Sequence, residues 1–491
     1  MRIISRATDN HEFLEYKRED KLLSRNFNVT VPLEVIDSVK MKFISVPLLL
    51  STCVALSLSS AIPESLSLTK SSSNIHAVLV AGSNGFENYR HQADVCHAYQ
   101  VLRSHGVPSE NIIVMMYDDI ANNKENPYPG RIFNVPNGTD VYQGVSKDYT
   151  GPEVNSENFM KVLKGDKELA AKGKKVLQTG PDDHVFIYFA DHGGTGIICF
   201  PSDSLTSQDL NETLTYMHQN KMYGKLTFYL ESCESGSMFN NILSDELNVY
   251  ATTAANPFES SYGCFCDQPD IYTCLGDEYS VAWILDSEGN VISKEPLETQ
   301  FQHVTKTVKN SSPQEYGDKT LANVNVGEFQ GESQSSIDAF VKHAKVTGQY
   351  NSRDIPLFNL KRKLASNLSS NETSEAQSKL LNVISGRRFY DRAIRNVIDE
   401  LCTKGFCSHA ADVLSIRSPL IDHNSYSKIV KKFNASCLNV AIHYYGLKYM
   451  YAFANIVESN NFDPASLEKF QHYLEKACLN HVVAHGYDAI I

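Results

Sequence analysis

The stretch Leu226-Thr-Phe-Tyr-Leu-Glu-Ser-Cys-Glu-Ser-Gly-Ser237 limits what this chain can become more than any other. Leu226 to Leu230 is an apolar, aromatic-rich run without alternation, the pattern of a strand buried on both faces of a parallel sheet. It stops at a short polar turn with Cys233 at the tip. In open α/β sheets the chemistry sits at the carboxyl ends of strands, where this thiol falls.

A thiol nucleophile needs a base. Upstream, His184-Val-Phe-Ile-Tyr-Phe-Ala-Asp-His-Gly-Gly194 repeats the layout, with Asp191, His192 and two glycines at the polar tip. If the two strands are neighbours, His192 and Cys233 project into one crevice as a Cys–His dyad. A structural cysteine and an unrelated loop histidine would explain either tip alone, but explain the matched pair poorly.

The 491 residues exceed one ordinary domain, so two are expected. A formal charge of −12 argues against a nucleic-acid partner. Met41-Lys42 and the apolar run Phe43 to Leu58 have the basic start and apolar core of a secretory signal, with cleavage suited after Ala61. Residues 41–61 are therefore read as a signal peptide, and the charged residues 1–40 as an over-extended gene prediction or a disordered leader. A membrane anchor would need a longer apolar run. Secretion agrees with glycosylation sequons at Asn137, Asn211, Asn310, Asn367, Asn371 and Asn434, and with 11 cysteines.

Strands are expected at 75–82, 111–117, 184–190, 225–230 and 248–255, with helices over Ala93–His105 and Ser156–Leu169. Residues 83–94 read as a polar loop. This alternation predicts an α/β domain over 74–330, a mostly parallel sheet flanked by helices. Residues 331–372 read as a linker. Helical patterning over Ala376–Ser385, Tyr390–Leu401, Ser425–Phe433, Val440–Val457 and Pro464–Cys478 predicts an all-α domain over 373–491. No cofactor, no metal and no membrane span in the mature chain are expected.

These stretches stand beside Val80-Ala-Gly-Ser-Asn-Gly85, Asn88-Tyr-Arg-His-Gln-Ala-Asp94, Met115-Met-Tyr-Asp-Asp-Ile120, Asn137-Gly-Thr-Asp-Val-Tyr142 and Tyr250-Ala-Thr-Thr-Ala-Ala-Asn-Pro257. Together they resemble the legumains, asparaginyl endopeptidases with a caspase-like fold made as zymogens. The resemblance is close over 74–330 and looser over 340–491. It implies Cys233 as nucleophile, His192 as general base and acid, and Asn88 orienting the imidazole. The amides of Cys233 and Gly193 would form the oxyanion hole. Arg90, Glu231 and Asp277 would form the pocket for the residue before the scissile bond (P1), lined by His91 and Ser261. Such a pocket suits asparagine: Arg90 serves the carbonyl while the carboxylates accept from the NH₂ group. Aspartate would enter only when protonated. Asp191 is a site at which family members can form a succinimide.

The resemblance further implies a Cys266–Cys274 disulfide, with Cys264 a competing partner, and a Cys437–Cys478 disulfide. Cys402 and Cys407 are additional and can pair with each other. Implied partners are protein and peptide substrates, the chain's own C-terminal prodomain and cystatin-type inhibitors. The implied setting is the secretory pathway to an acidic lysosome- or vacuole-like compartment, or secretion, including into a gut lumen. Latency is expected from Glu234 and Asp191 pairing with Lys448 and Lys363 until acid protonates the carboxylates. Activating cleavage is expected at Asn367, with Asn371, Asn359 and Asn351 as alternatives. The runner-up activity is a peptide ligase or transpeptidase. An inactive binding scaffold is the reading from another class, and the presence of Cys233, His192 and Asn88 argues against it.

Overall fold

The computed structural model describes residues 75–332, 345–482 and 489–491, so the expected leader and signal peptide lie outside the described residues. Among the described residues the strands are, in chain order, β1 (Ile75–Ala81), β2 (Ile112–Met115), β3 (His184–Ala190), β4 (Gly193–Gly194), β5 (Ile197–Cys199), β6 (Ser204–Thr206), β7 (Lys225–Glu231), β8 (Val249–Thr253), β9 (Tyr262–Cys264), β10 (Gly276–Asp277), β11 (Gln314–Gly317) and β12 (Tyr350–Asn351). Six of them form one sheet in the order β11-β8-β7-β3-β1-β2, parallel except for β11. Small antiparallel sheets β10-β9-β12 and β4-β5-β6 stand apart from it.

The central strands are apolar throughout because both their faces are covered. On β3, Phe186 and Tyr188 enter one core with Tyr89, Tyr229 and Trp283, while Val185, Ile187 and Phe189 enter the opposite core with Phe159, Leu214 and Phe228. The longer helices of this region are α1 (Tyr89–Ser104), α2 (Ser156–Leu163), α3 (Ser207–Gln219), α4 (Glu278–Gly289) and α5 (Leu297–Thr307). The first begins earlier than its apolar periodicity suggests, with Asn88 as its N-cap. Arg90 and His91, read from sequence as loop residues, therefore project from its first turn.

Residues 331–372 are also more ordered than a linker. They include β12, which adds antiparallel to β9, and α6 (Ile355–Ala365), whose Ile355 packs against Cys266 and Cys274. Proline at the start of α6 removes an amide that has no intrahelical partner, which suits a helix there. Beyond it, α7 (Ser370–Thr403) is one continuous helix where two were expected; a Ser369–Glu372 capping box starts it, and Gly386 does not interrupt it. It packs with α8 (His423–Ser436), α9 (Met450–Asn460) and α10 (Pro464–His481) around one apolar core.

That core also takes in Ile197 and Cys199 of β5, so the helical region is built onto the β4-β5-β6 sheet. Tyr426 O–H donates to Thr195 O at 2.6 Å, Thr206 and Ser427 hydroxyls meet at 2.9 Å, and Lys431 pairs with Asp209 at 2.7 Å. A mostly parallel sheet with flanking helices, followed by an all-α region, is the architecture the sequence implied. Disulfides join Cys266 to Cys274, Cys402 to Cys407 and Cys437 to Cys478, while Cys96, Cys199, Cys233 and Cys264 are free and buried.

Candidate active site

Strand register brings the two polar tips together. The last β3–β7 pair is Ala190↔Glu231, and His192 and Cys233 each follow by two residues, so they emerge side by side. Asn88 Oδ1 lies 2.8 Å from His192 Nε2. Asn88 Nδ2 donates to Asn84 O at 3.0 Å, which fixes the amide so that Oδ1 faces the ring. His192 therefore carries its proton on Nε2 and leaves Nδ1 as the acceptor for a thiol proton. The Ser261 amide donates to Cys233 Sγ at 3.4 Å, a contact that strengthens when the sulfur is ionised.

Next to the thiol the chain turns sharply, with Glu234 in the left-handed region at φ 48°. Gly193 lies close by: a Cβ there would stand 2.6 Å from both Cys233 O and Ser232 Oγ, so no larger residue fits. Cys199 N–H donates to His192 O at 3.1 Å, and ladder alternation then points the Gly193 amide away from β5.

Beneath the thiol, Arg90 Nε donates to Asp277 Oδ1 at 2.9 Å, both groups being 1% exposed. Ser280 donates its amide and hydroxyl to Glu231 Oε2 at 3.2 and 3.1 Å. The remaining oxygens, Glu231 Oε1 and Asp277 Oδ2, are buried without a hydrogen-bond partner. Burial raises Glu231 well above the usual carboxylate range, and the neighbouring Asp277 pushes it further. Asp277 is also raised by burial, against the pull of Arg90. His91 bridges this layer to Asp191, its ring nitrogens lying 3.5 Å from Asp191 Oδ1 and 3.6 Å from Asp277 Oδ2. Ser83 Oγ is 2.6 Å from His91 Nδ1.

The cleft is covered. Tyr444, on the 3₁₀ turn Tyr444–Tyr449, stacks on His192 with ring centres 4.0 Å apart. Burial lowers His192 well below its ordinary value, and Arg90 and Arg353 lower it further. Burial likewise pushes the Cys233 thiol up, partly offset by Arg353. In this covered state the pair is a neutral thiol beside a neutral imidazole, poorly prepared for attack.

The expected latency contacts need correction. Glu234 is 2% exposed and pairs with Arg353 at 2.5 Å and Arg417 at 3.1 Å. Arg353 also donates to Gly193 O at 3.0 Å. Lys448 instead lies 3.8 Å from Asp391 on α7, and Lys363 pairs with Glu125 at 2.9 Å. Asp191 faces His91. The reason is placement: Glu234 is buried where Arg353, just after β12, and Arg417 reach it, whereas Lys448 faces Asp391 on α7.

Among the cleavage candidates, Asn351 is held in β12 and Asn359 is buried with its amide on Thr273. Asn367, between α6 and α7, and Asn371, in the first turn of α7, are exposed. Of the sequons, Asn137 and Asn310 are exposed, Asn211 is half-buried, and Asn434 donates to Ser204 Oγ. Among the described residues two groups have the spacing of metal ligands, His91-Asp191-His192 and Asp286-Glu295-His303. In the first, ring nitrogens already engage Ser83 and Asn88, which favours a hydrogen-bonded role.

Sequence reading missed Arg353, Arg417 and Tyr444. Nothing marks an arginine in a polar stretch as the partner of a carboxylate more than a hundred positions away, and a two-residue strand has no periodicity to detect.

A thiol and an imidazole on adjacent strand tips, beside a pocket of buried acidic and basic side chains and beneath a helical cover, define a cysteine endopeptidase that carries its own covering region. The comparisons agree. The peptidase C13 family matches residues 75–332, and the legumain prodomain matches 378–478. Legumain of Mus musculus is 46% identical over 416 residues, covering 82% of this chain and 92% of that protein. The hemoglobinase of Schistosoma japonicum is 49% identical over 325 residues, covering 66% and 76%. The vacuolar-processing enzyme delta-isozyme of Arabidopsis thaliana is 42% identical over 402 residues, covering 77% and 86%. The chain belongs to the peptidase C13 family and is a cysteine endopeptidase with a legumain-type prodomain.

Proposed function

We propose that this enzyme hydrolyses peptide bonds after asparagine, and after aspartate in acid, and that the helical region holds it latent until acid releases it. The observation that carries the specificity is a pair of buried oxygens without a hydrogen-bond partner, Glu231 Oε1 and Asp277 Oδ2, the second on the carboxylate that Arg90 pairs with and 3.6 Å from His91 Nε2. A carboxamide completes this set with one acceptor and two donors. An apolar side chain would leave the charges unpaired, and ionised aspartate would add a negative charge to a site already holding two carboxyls. In this mechanism His192 Nδ1 takes the Cys233 proton, the sulfur attacks the carbonyl, and the amides of Gly193 and Cys233 hold the oxyanion. His192 returns the proton to the leaving amine, and water then resolves the thioester.

The test is hydrolysis of matched peptides differing only at P1. Asparagine should be cleaved across the active pH range, aspartate only as pH falls, and alanine not measurably. Equal cleavage of the alanine peptide would refute the specificity.

Acid release has a group with the right sign. His423 lies between the two regions, with Ser207 Oγ 2.6 Å from Nδ1 and Asn240 O 3.1 Å from Nε2. Burial lowers it below its ordinary value, against the upward pull of the Asn240 carbonyl, Glu458 and Asp422. The docked state therefore binds fewer protons than the released one. Its contribution to docking is present above the ordinary histidine range and is lost as pH falls. His423→Gln keeps a donor but cannot charge. Its release, followed by size-exclusion across a pH series, should shift to lower pH; an unchanged midpoint would remove His423 from the switch.

Exposed Asn367 is the preferred activating cleavage site. A glycan on it would hinder the cut, so glycan occupancy there and processing exclude one another. Protein substrates and cystatin-type inhibitors would enter the cleft vacated by Tyr444. An acidic lysosome- or vacuole-like lumen, or a secreted setting, supplies the pH this scheme needs; among the described residues no helix is long and apolar enough to cross a membrane.

A further inference from the structure

Behind the P1 pocket lies a second layer of polar side chains that the mechanism above does not use. Asp94 on α1 is fully buried, and its carboxylate accepts the Asp277 amide, with N–O distances of 3.2 and 3.4 Å. Asn134 Nδ2 donates to Asp94 Oδ1 at 2.6 Å and to Leu275 O at 3.1 Å. These two acceptors fix the Asn134 amide, so its Oδ1 must face His97 Nδ1, 2.8 Å away. The other nitrogen of His97 lies 3.1 Å from Glu288 Oε1 on α4. Acceptors at both nitrogens demand a donor at each, which makes the ring an imidazolium. Burial opposes that charge, but hydrogen bonding and attraction to Glu288 raise His97 above its ordinary value.

The loop that rests on this layer is Leu275-Gly276-Asp277. A Cβ at Gly276 would stand 2.8 Å from Asn134 Nδ2 and 2.9 Å from Asp94 Oδ1, so the backbone lies directly against both side chains. Its own ladder is short, since β10 pairs with β9 through only Gly276↔Cys264 and Asp277↔Gly263. Two rungs fix direction poorly, and the three bonds from Asp94 and Asn134 supply the rest.

We propose that Asp94 and Asn134 are positioning residues for P1 recognition. They hold the 275–277 backbone so that Asp277 meets Arg90 with one oxygen and presents the other to the substrate carboxamide. This rests on the asparagine reading given above. His97 and Glu288 lock the Asn134 amide from behind, extending the arrangement from the pocket to the far end of α4. Neither Asp94 nor Asn134 touches substrate, so loss of either should weaken P1 binding and leave the thiol's own reactivity alone.

The experiment uses the full chain, acid-activated, carrying Asn134→Ala, with Asp94→Asn as a shape-conserving second variant if the first does not fold. Two readouts are compared: KM and kcat on a peptide with asparagine at P1, and the rate at which iodoacetamide alkylates Cys233 at the same pH. A displacement of the pocket by a fraction of an ångström should raise KM about tenfold or more with a much smaller change in kcat. Alkylation should proceed at the unmodified rate. An unchanged KM overturns the assignment, as does a parallel fall in alkylation, which marks general loss of the core. Unmodified enzyme with no preference for asparagine would overturn the asparagine reading and this assignment together; unchanged KM in an enzyme that does prefer asparagine overturns this assignment alone.

Discussion

Cys233→Ala should reduce hydrolysis after asparagine by about 10³-fold or more, the residue left after loss of a nucleophile being what binding and the oxyanion hole supply. The expectation follows from register. Cys233 and His192 stand two residues past the same β3–β7 pair, and among the described free cysteines the others, Cys96, Cys199 and Cys264, lie in cores. His192→Ala should fall by a similar factor, because without Nδ1 as acceptor the thiol stays protonated, and the double variant should be little worse than either alone. Asn88→Ala should cost less, since the ring keeps its place but loses the partner that selects its tautomer. The check is single-turnover hydrolysis of an asparaginyl peptide by acid-activated enzyme. Full activity in Cys233→Ala would remove the assignment. The same geometry predicts that the intact zymogen, with Cys233 2% exposed and Tyr444 stacked on His192, is alkylated far more slowly than activated enzyme at equal pH.

The second large effect belongs to the cover. Glu234 is buried and meets two guanidinium groups, Arg353 from the segment after β12 and Arg417 from the segment before α8. Breaking a buried ion pair by removing one partner typically costs ~3–5 kcal/mol, because the other charge is left without compensation. Arg353 is 13% exposed by side chain and Arg417 35%, so the first contact should dominate and the second is discounted for solvent screening. Arg353→Glu combined with Arg417→Glu places like charges around Glu234 and should shift the docking equilibrium by about 10²-fold or more, at ~1.4 kcal/mol per tenfold. Such a zymogen should cleave an asparaginyl peptide at neutral pH without acid treatment. Latency retained in the double variant would show that apolar burial around Tyr444 and Ile197 suffices without the ion pairs. Lys448→Glu should matter less, since that lysine serves Asp391 within the helical region.

The catalytic half was open to sequence reading because its signals are local. Buried strands read as unbroken apolar runs, and polar tips with glycine mark where those runs end, so β3 and β7 were found with their ends nearly in place. Helix α1 shows where that logic thins. Its first turn is Tyr89-Arg-His-Gln, polar by composition, and only the packing of Tyr89 against the sheet reveals it as helical. Helix α4 differs, since its run Val281-Ala-Trp-Ile284 is apolar and buried, and a short apolar run does not by itself separate helix from strand. The cover was least legible. Its helices could be listed, but the face that meets the protease depends on isolated contacts such as Tyr444 on His192, which leave no periodic trace. The pocket behind Asp277 lies between these extremes: Asp94 belongs to a recognisable motif, yet its bond to a backbone amide nearly two hundred residues away exists only in three dimensions.

The joint between α6 and α7 divides the cover unequally. A cut at Asn367 leaves β12, Arg353 and α6 covalently joined to the protease, at an effective concentration no dilution can alter. Everything from α7 onward, including Arg417 and Tyr444, becomes a separate molecule whose hold depends on how many copies share the volume. The outer piece is lost to dilution, while the inner strand stays beside the β9 edge with which it pairs.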